Sequence, residues 1–139
     1  VVLRSSEGTR VLADAFQTGM LATARRSDEV IAAVRFPVRK PGAGYAFAEM
    51  TQRHGDLAIC AVAAVASGNS TRLGIGGVAD KPTIREWSGL ADGESDDALN
   101  DFAWELNGTD DIHATAAYRR ELVRRLGRRV IEEARKCSS

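Results

Sequence analysis

This sequence has little with which to bind metal or run redox chemistry unaided. It holds two cysteines, Cys60 and Cys137, and two histidines, His54 and His113. Two thiols cannot ligate an iron–sulfur cluster or complete a tetrahedral zinc site, and neither histidine has a carboxylate or thiol at ligand spacing. Cys60 stands in an apolar run and Cys137 near the carboxyl end, a placement that gives no disulfide framework and marks Cys60 as a small core residue. An excess of charge is also missing. The 19 basic and 19 acidic side chains cancel, so no global field steers the chain toward nucleic acid or an anionic membrane. No apolar run approaches the roughly 20 residues that span a bilayer, and "VVLRSSEGTR" lacks the charged-then-apolar order of a signal peptide. The expectation is a cytoplasmic protein without metal, nucleic-acid partner or membrane span.

Catalytic signatures are absent as well. Gly74, Gly76 and Gly77 in "LGIGGVAD" lack the third glycine of a dinucleotide fingerprint, and no Lys-Ser/Thr follows to make a P-loop. Close strand packing accounts for them better. No nucleophile elbow or ordered Ser-His-Asp signature occurs. No catalytic residue is therefore expected in this chain.

What is present is a core. The 44% apolar content over 139 residues suits one ordinary domain with an appended piece. Residues 28–37, "DEVIAAVRFP", read as a half-buried strand ending at Pro37, and "VRKPGAG" marks a boundary between segments 1–37 and 41–139. Beyond it, Tyr45 and Phe47 alternate with Ala46 and Ala48, as in a strand with one aromatic face. Runs 59–66 and 72–78, linked by Ser67-Gly68-Asn69-Ser70, predict an antiparallel hairpin. "TIREWSGL" predicts a short helix. The last third predicts two amphipathic helices: 95–107, with Ser95 as N-cap and Leu99, Phe102 and Leu106 on one face, and 115–136, with Tyr118, Leu122, Leu126 and Val130 spaced by four. The predicted class is α+β: a three- to four-stranded antiparallel sheet packed against about three helices.

Charge in this last third is sorted by helix. Eight acids and no Lys or Arg lie between Asp92 and Asp111, and eight bases against three acids between Thr115 and Lys136. Three readings stand side by side. The blocks are solvated faces attracting each other weakly; or Arg124, Arg125 and Arg128 dock a partner subunit; or Arg119, Arg120, Arg124, Arg125, Arg128 and Arg129 form a nucleic-acid stripe, which lacks interleaved aromatics.

One stretch remains unexplained by packing: the polar, glycine-broken loop from Thr51 to Asp56, set between an aromatic strand and an alanine/valine run. Taken in order, "GTRVLADAFQTGMLATARRSDEVIAAVRFP", "GYAFAEMTQRHGDLAICAVAAVA", "RLGIGGVADKP" and "DIHATAAYRRELVRRLGRRVIEEA" resemble the medium, FAD-binding subunit of molybdenum hydroxylases, the family of carbon monoxide dehydrogenase and xanthine dehydrogenase flavoproteins. The residues that carry the resemblance are Phe47 with Arg53-His54-Gly55-Asp56, then Gly76-Gly77-Val78-Ala79-Asp80, then Tyr118-Arg119-Arg120.

The resemblance implies that residues 1–37 end an FAD-binding domain and that residues 41–139 form the family's carboxyl-terminal domain. It implies partners: a molybdopterin-binding large subunit, where substrate is oxidised, and a small subunit with two-iron, two-sulfur clusters that relay electrons to FAD and on to an acceptor. The glycine-rich segments that cradle the FAD pyrophosphate lie upstream in the family and have no counterpart here. The chain alone is therefore expected to hold FAD poorly and to have no activity by itself. The cofactor-binding positions implied are Ile31, Phe47, Glu49 and Asp56, with the loop from Thr51 to Asp56 facing the isoalloxazine. Phe47 and Ile31 also suit a strand core, and Asp56 a turn cap. Several family members have lysine at or beside Ala48 and Glu49; Glu49 departs from that pattern. A non-catalytic module assembling subunits through Arg124, Arg125 and Arg128 is the alternative function.

Overall fold

Glycine and asparagine at Gly68-Asn69 leave two residues to reverse the chain, and Gly68 takes the positive φ of 55° that such a tight link requires. In the computed structural model, which describes residues 1–11, 13–90 and 94–138, this turn joins two strands of one sheet. The chain divides into two compact units, Val1–Arg39 and Lys40–Ser139.

The first unit contains β1 (Val2–Arg4), β2 (Thr9–Arg10), the single-turn α1 (Ala13–Phe16), β3 (Gln17–Gly19), β4 (Ala22–Thr23) and β5 (Val30–Ala33). Strand β1 pairs antiparallel with both β2 and β5, bringing Leu3 opposite Ile31. Leu3 and Glu29 are its only buried residues among those described, and all four residues of β5 are exposed. This corrects the half-buried strand expected over 28–37. The apolar side chains of β5 have no second layer to pack on within this unit.

The second unit is a four-stranded antiparallel meander, β6 (Ala43–Met50), β7 (Cys60–Ser67), β8 (Ser70–Gly76) and β9 (Thr83–Ser88), in sequential order. Helices α2 (Ser95–Glu105) and α3 (Ala116–Lys136) cover one face. Small residues on that face let α3 lie close: Ala48, Val62, Ala64 and Ala66 meet Val123, Val130, Ile131 and Ala134 in one core. Gly44 marks the tightest approach, because a Cβ there would fall 1.7 Å from the carbonyl oxygen of Ala134. Gly77, at φ 81°, turns the chain out of β8 against the backbone of Ala58 and Ile59.

The predicted class therefore holds, with one change of element. Residues 83–88, expected as helix, form the edge strand β9. Its inward side carries Arg85 and Trp87, and both use the Phe102 ring: Trp87 meets it edge-on at 5.8 Å, and the Arg85 guanidinium lies 5.1 Å from its centroid. Arg85 also pairs with Glu105. An inward cation on an edge strand discourages further strand addition. Helix α2 starts at Ser95 as expected, but its N-cap is Glu94 and Ser95 is buried in its first turn, and it ends at Glu105, two residues short of the expected 107. Helix α3 is capped by Thr115, whose hydroxyl accepts from the Tyr118 N–H at 3.2 Å.

Candidate functional site

A meander with helices on one side leaves its other side bare. Along each strand the side chains alternate, so the bare face is lined by Tyr45, Phe47 and Glu49 from β6, Ala61, Ala63 and Val65 from β7, Arg72, Gly74 and Gly76 from β8, and Ile84 and Glu86 from β9. Register places Phe47, Ala63, Gly74 and Ile84 in one row across the four strands. The row has high walls and a low floor: Phe47 is 59% and Ile84 52% exposed, while alanine and glycine lie between. A Cβ added at Gly74 would come no nearer than 3.9 Å to any neighbour. The fold does not require glycine there, and an interior strand glycine without a packing reason marks close approach by something else.

A second feature lies at the end of the β6–β7 hairpin. The loop from Thr51 to Asp56, the Gly77 turn and residues 111–113 border a cleft of about 440 Å³. Arg119, from the first turn of α3, holds these pieces together. Its guanidinium donates to the carbonyl oxygens of Ile59 (3.0 Å) and Gly77 (2.5 Å) and to Oδ2 of Asp111 (2.5 Å), with only 7% of its side chain exposed. Asp111 in turn accepts from the Ala114 and His113 N–H groups, and these bonds together with Arg119 lower its pKa from 3.8 to about 2. Cys60, fully buried beside this pin, has its thiol pushed up to about 12 by burial, so it remains a protonated core residue.

Not all of the residues implied for a cofactor share one place. Phe47 and Glu49 share the bare sheet face. Asp56 lies in the loop and borders the Arg119 cleft; its own N–H closes a turn onto the Arg53 carbonyl. Ile31 belongs to β5 of the first unit and is about half exposed there. The core alternative for Phe47 does not hold, because its ring points away from the helices.

The arginines of α3 are already engaged within the domain. Arg124 bonds Glu121 and Asn100, Arg125 bonds Glu121, Arg128 bridges to Asp96 on α2, and Arg129 reaches Glu133 at 3.6 Å. Arg125 and then Arg124 lower the Glu121 pKa. Arg120 stacks over Trp104, 4.0 Å from its centroid. The acidic and basic blocks thus meet across the helix pair. Asp92, one member of the acidic block, lies outside the described residues. Two contributors are not evident from the sequence pattern. Arg119 stands in sequence among the surface arginines, although its register with Leu122, Val123 and Leu126 places it on the apolar side. Ile84 was hidden by the helical reading of its strand.

Among the described residues no helix is long and apolar enough to cross a membrane. Residues 45–134 match the model of the CO dehydrogenase flavoprotein C-terminal domain. The chain is 33% identical to the nicotine 6-hydroxylase medium subunit of Paenarthrobacter nicotinovorans over 96% of its own length and 51% of that protein's. It is 36% identical to the caffeine dehydrogenase subunit beta of Pseudomonas sp. (strain CBB1) over 48% of its length and 23% of that protein's. Among solved structures, a chain of reconstituted CO dehydrogenase from Oligotropha carboxidovorans superposes with a TM-score of 0.83 at 28% identity, over 98% of this chain and 52% of that one. A chain of quinoline 2-oxidoreductase from Pseudomonas putida 86 gives 0.80 at 25% identity, over 97% and 51%. The chain thus spans about half the length of the medium subunit and the solved chains it matches, and less of the caffeine dehydrogenase subunit.

Proposed function

The chain belongs to the CO dehydrogenase flavoprotein C-terminal domain family, and on that premise we propose that it forms one wall of the flavin site in the FAD-binding medium subunit of a molybdenum hydroxylase. The observation that carries this reading is the row Phe47, Ala63, Gly74 and Ile84 on the sheet face opposite the one that α2 and α3 cover. Its residues fit a flat aromatic ring: an aromatic and an aliphatic wall, a floor without side-chain bulk, and no polar group within the row. They do not fit a pyrophosphate, since the glycines lie within a strand and at its exit rather than at a helix N-terminus. Bound FAD would supply the electron relay, receiving electrons from iron–sulfur clusters and passing them to an acceptor. Phe47 contributes ring contact and keeps water from the redox centre.

On this reading the first unit ends the FAD-binding domain, with Ile31 as its flavin-binding position, and Asp56 orders the loop that follows β6. The partners are a molybdopterin-binding large subunit and a small subunit with two-iron, two-sulfur clusters, working together in the cytoplasm. The alternative of an assembly module built on Arg124, Arg125 and Arg128 has less support, because those cations already pair with residues of α2 and α3. The test is Phe47→Ala in the FAD-loaded complete subunit. The flavin's visible circular dichroism should change and iodide should quench its fluorescence more readily. Identical spectra and quenching would overturn the proposal.

A further inference from the structure

Charge on the bare sheet face is unevenly compensated. At its far side, Arg72 of β8 and Glu86 of β9 stand opposite each other and pair at 3.4 Å, and the Ser70 hydroxyl also donates to Glu86 at 2.7 Å. Glu49 has no such arrangement. It is exposed on β6, two residues from Phe47 on the same face, and among the described residues it has no hydrogen-bond or ion-pair partner. Its cross-strand neighbours are Ala61 and, beyond it, Gly76, which offer no side-chain donor. Alternate residues of an antiparallel strand are about 7 Å apart, so the charge nearest Phe47 on this face is an uncompensated carboxylate. Glutamate is disfavoured in strands, and here neither packing nor an ion pair accounts for it.

We propose that Glu49 tunes the redox poise of the flavin site, lowering the reduction potential of a ring seated on Phe47 and so favouring onward transfer of its electrons. This rests on the flavin reading above and adds a role for one side chain. Two electrons and one proton convert the neutral oxidised ring into a reduced ring with one negative charge. A fixed carboxylate within about 10 Å at a partly desolvated surface opposes that change through Coulomb repulsion. Other charged or titratable groups near the face are Tyr45 on the same strand, Lys40, whose backbone N–H donates to the Tyr45 hydroxyl at 3.2 Å, the compensated Arg72–Glu86 pair, and Arg53, His54 and Asp56 in the loop that follows β6. None stands nearer to Phe47 along the face than Glu49.

The experiment is a spectroelectrochemical titration of the FAD-loaded complete subunit at one fixed pH, comparing wild type with Glu49→Gln, Glu49→Lys and Glu86→Gln, alongside the spectra of Phe47→Ala. Removing the Glu49 charge should raise the midpoint potential by at least about 30 mV, a tenfold change in the two-electron equilibrium. Reversing it should raise the potential further, and Glu86→Gln should shift it less than Glu49→Gln. If Phe47→Ala perturbs the flavin while the Glu49 variants keep the wild-type potential, the role of Glu49 is overturned and the flavin wall stands. If neither Phe47 nor Glu49 variants affect the flavin, both fall.

Discussion

Arg119 shows how one side chain can fix the ends of several elements at once. Two buried or half-buried carbonyls, of Ile59 just before β7 and of Gly77 in the turn after β8, accept from a single guanidinium on α3. Replacing it with methionine keeps the apolar stem but orphans both carbonyls, at about 1–3 kcal/mol for each buried group. Urea unfolding should show a lower midpoint with the slope unchanged. Asp111, across the ion pair, adds a pH signature. Its folded pKa of about 2 lies below the ordinary 3.8, so it contributes stability above the unfolded pKa and loses it as pH falls through the folded one. The stability gap between wild type and Asp111→Asn should be constant above about pH 5 and should shrink between about pH 4 and 2. A gap independent of pH over that window would show that Asp111 is not held as an anion.

At the scale of elements, the bare sheet face separates folding from function more cleanly than the core does. Gly74→Ala adds a methyl where nothing lies within 3.9 Å and removes the backbone entropy penalty of an interior glycine, about 0.5–1 kcal/mol. Thermal denaturation of this variant should therefore match or exceed wild type, while its complete subunit should bind FAD more weakly. A variant that loses stability would refute the open-face geometry. The same face shows what the sequence could reveal. Tyr45 and Phe47 alternating with alanine were legible as a one-sided strand, and the turn residues Gly68-Asn69 as a hairpin, because period-two spacing and turn chemistry are local. Strand β9 was illegible for the converse reason. Its inward positions hold Thr83, Arg85 and Trp87, not an apolar series, and Arg85 is engaged by Phe102 and Glu105 from helix α2, later in the chain. The extent of helix α3 is legible in its apolar spacing, but the burial of Arg119 is not, since an arginine among arginines looks like surface until its acceptors are seen.

For the whole molecule, the two units differ in what could hold them folded. Residues 40–139 enclose a continuous core running from Val62 and Leu73 through Phe102 to Val130 and Ile131. Residues 1–39 bury, among those described, only Leu3 and Glu29, and chains below about 40 residues seldom fold without a disulfide, a metal or a partner surface. Expressed separately, residues 40–139 should unfold in one cooperative thermal transition with helix and strand signals lost together, whereas residues 1–39 should show no transition. Adding FAD to residues 40–139 provides the decisive comparison. The bare face offers contact to one side of a ring but no anchor for the pyrophosphate, so flavin fluorescence should titrate weakly and without saturation at micromolar concentrations. Tight, stoichiometric binding by that unit alone would mean that the sheet face holds the cofactor by itself, and the proposed role as one wall of a shared site would have to be abandoned.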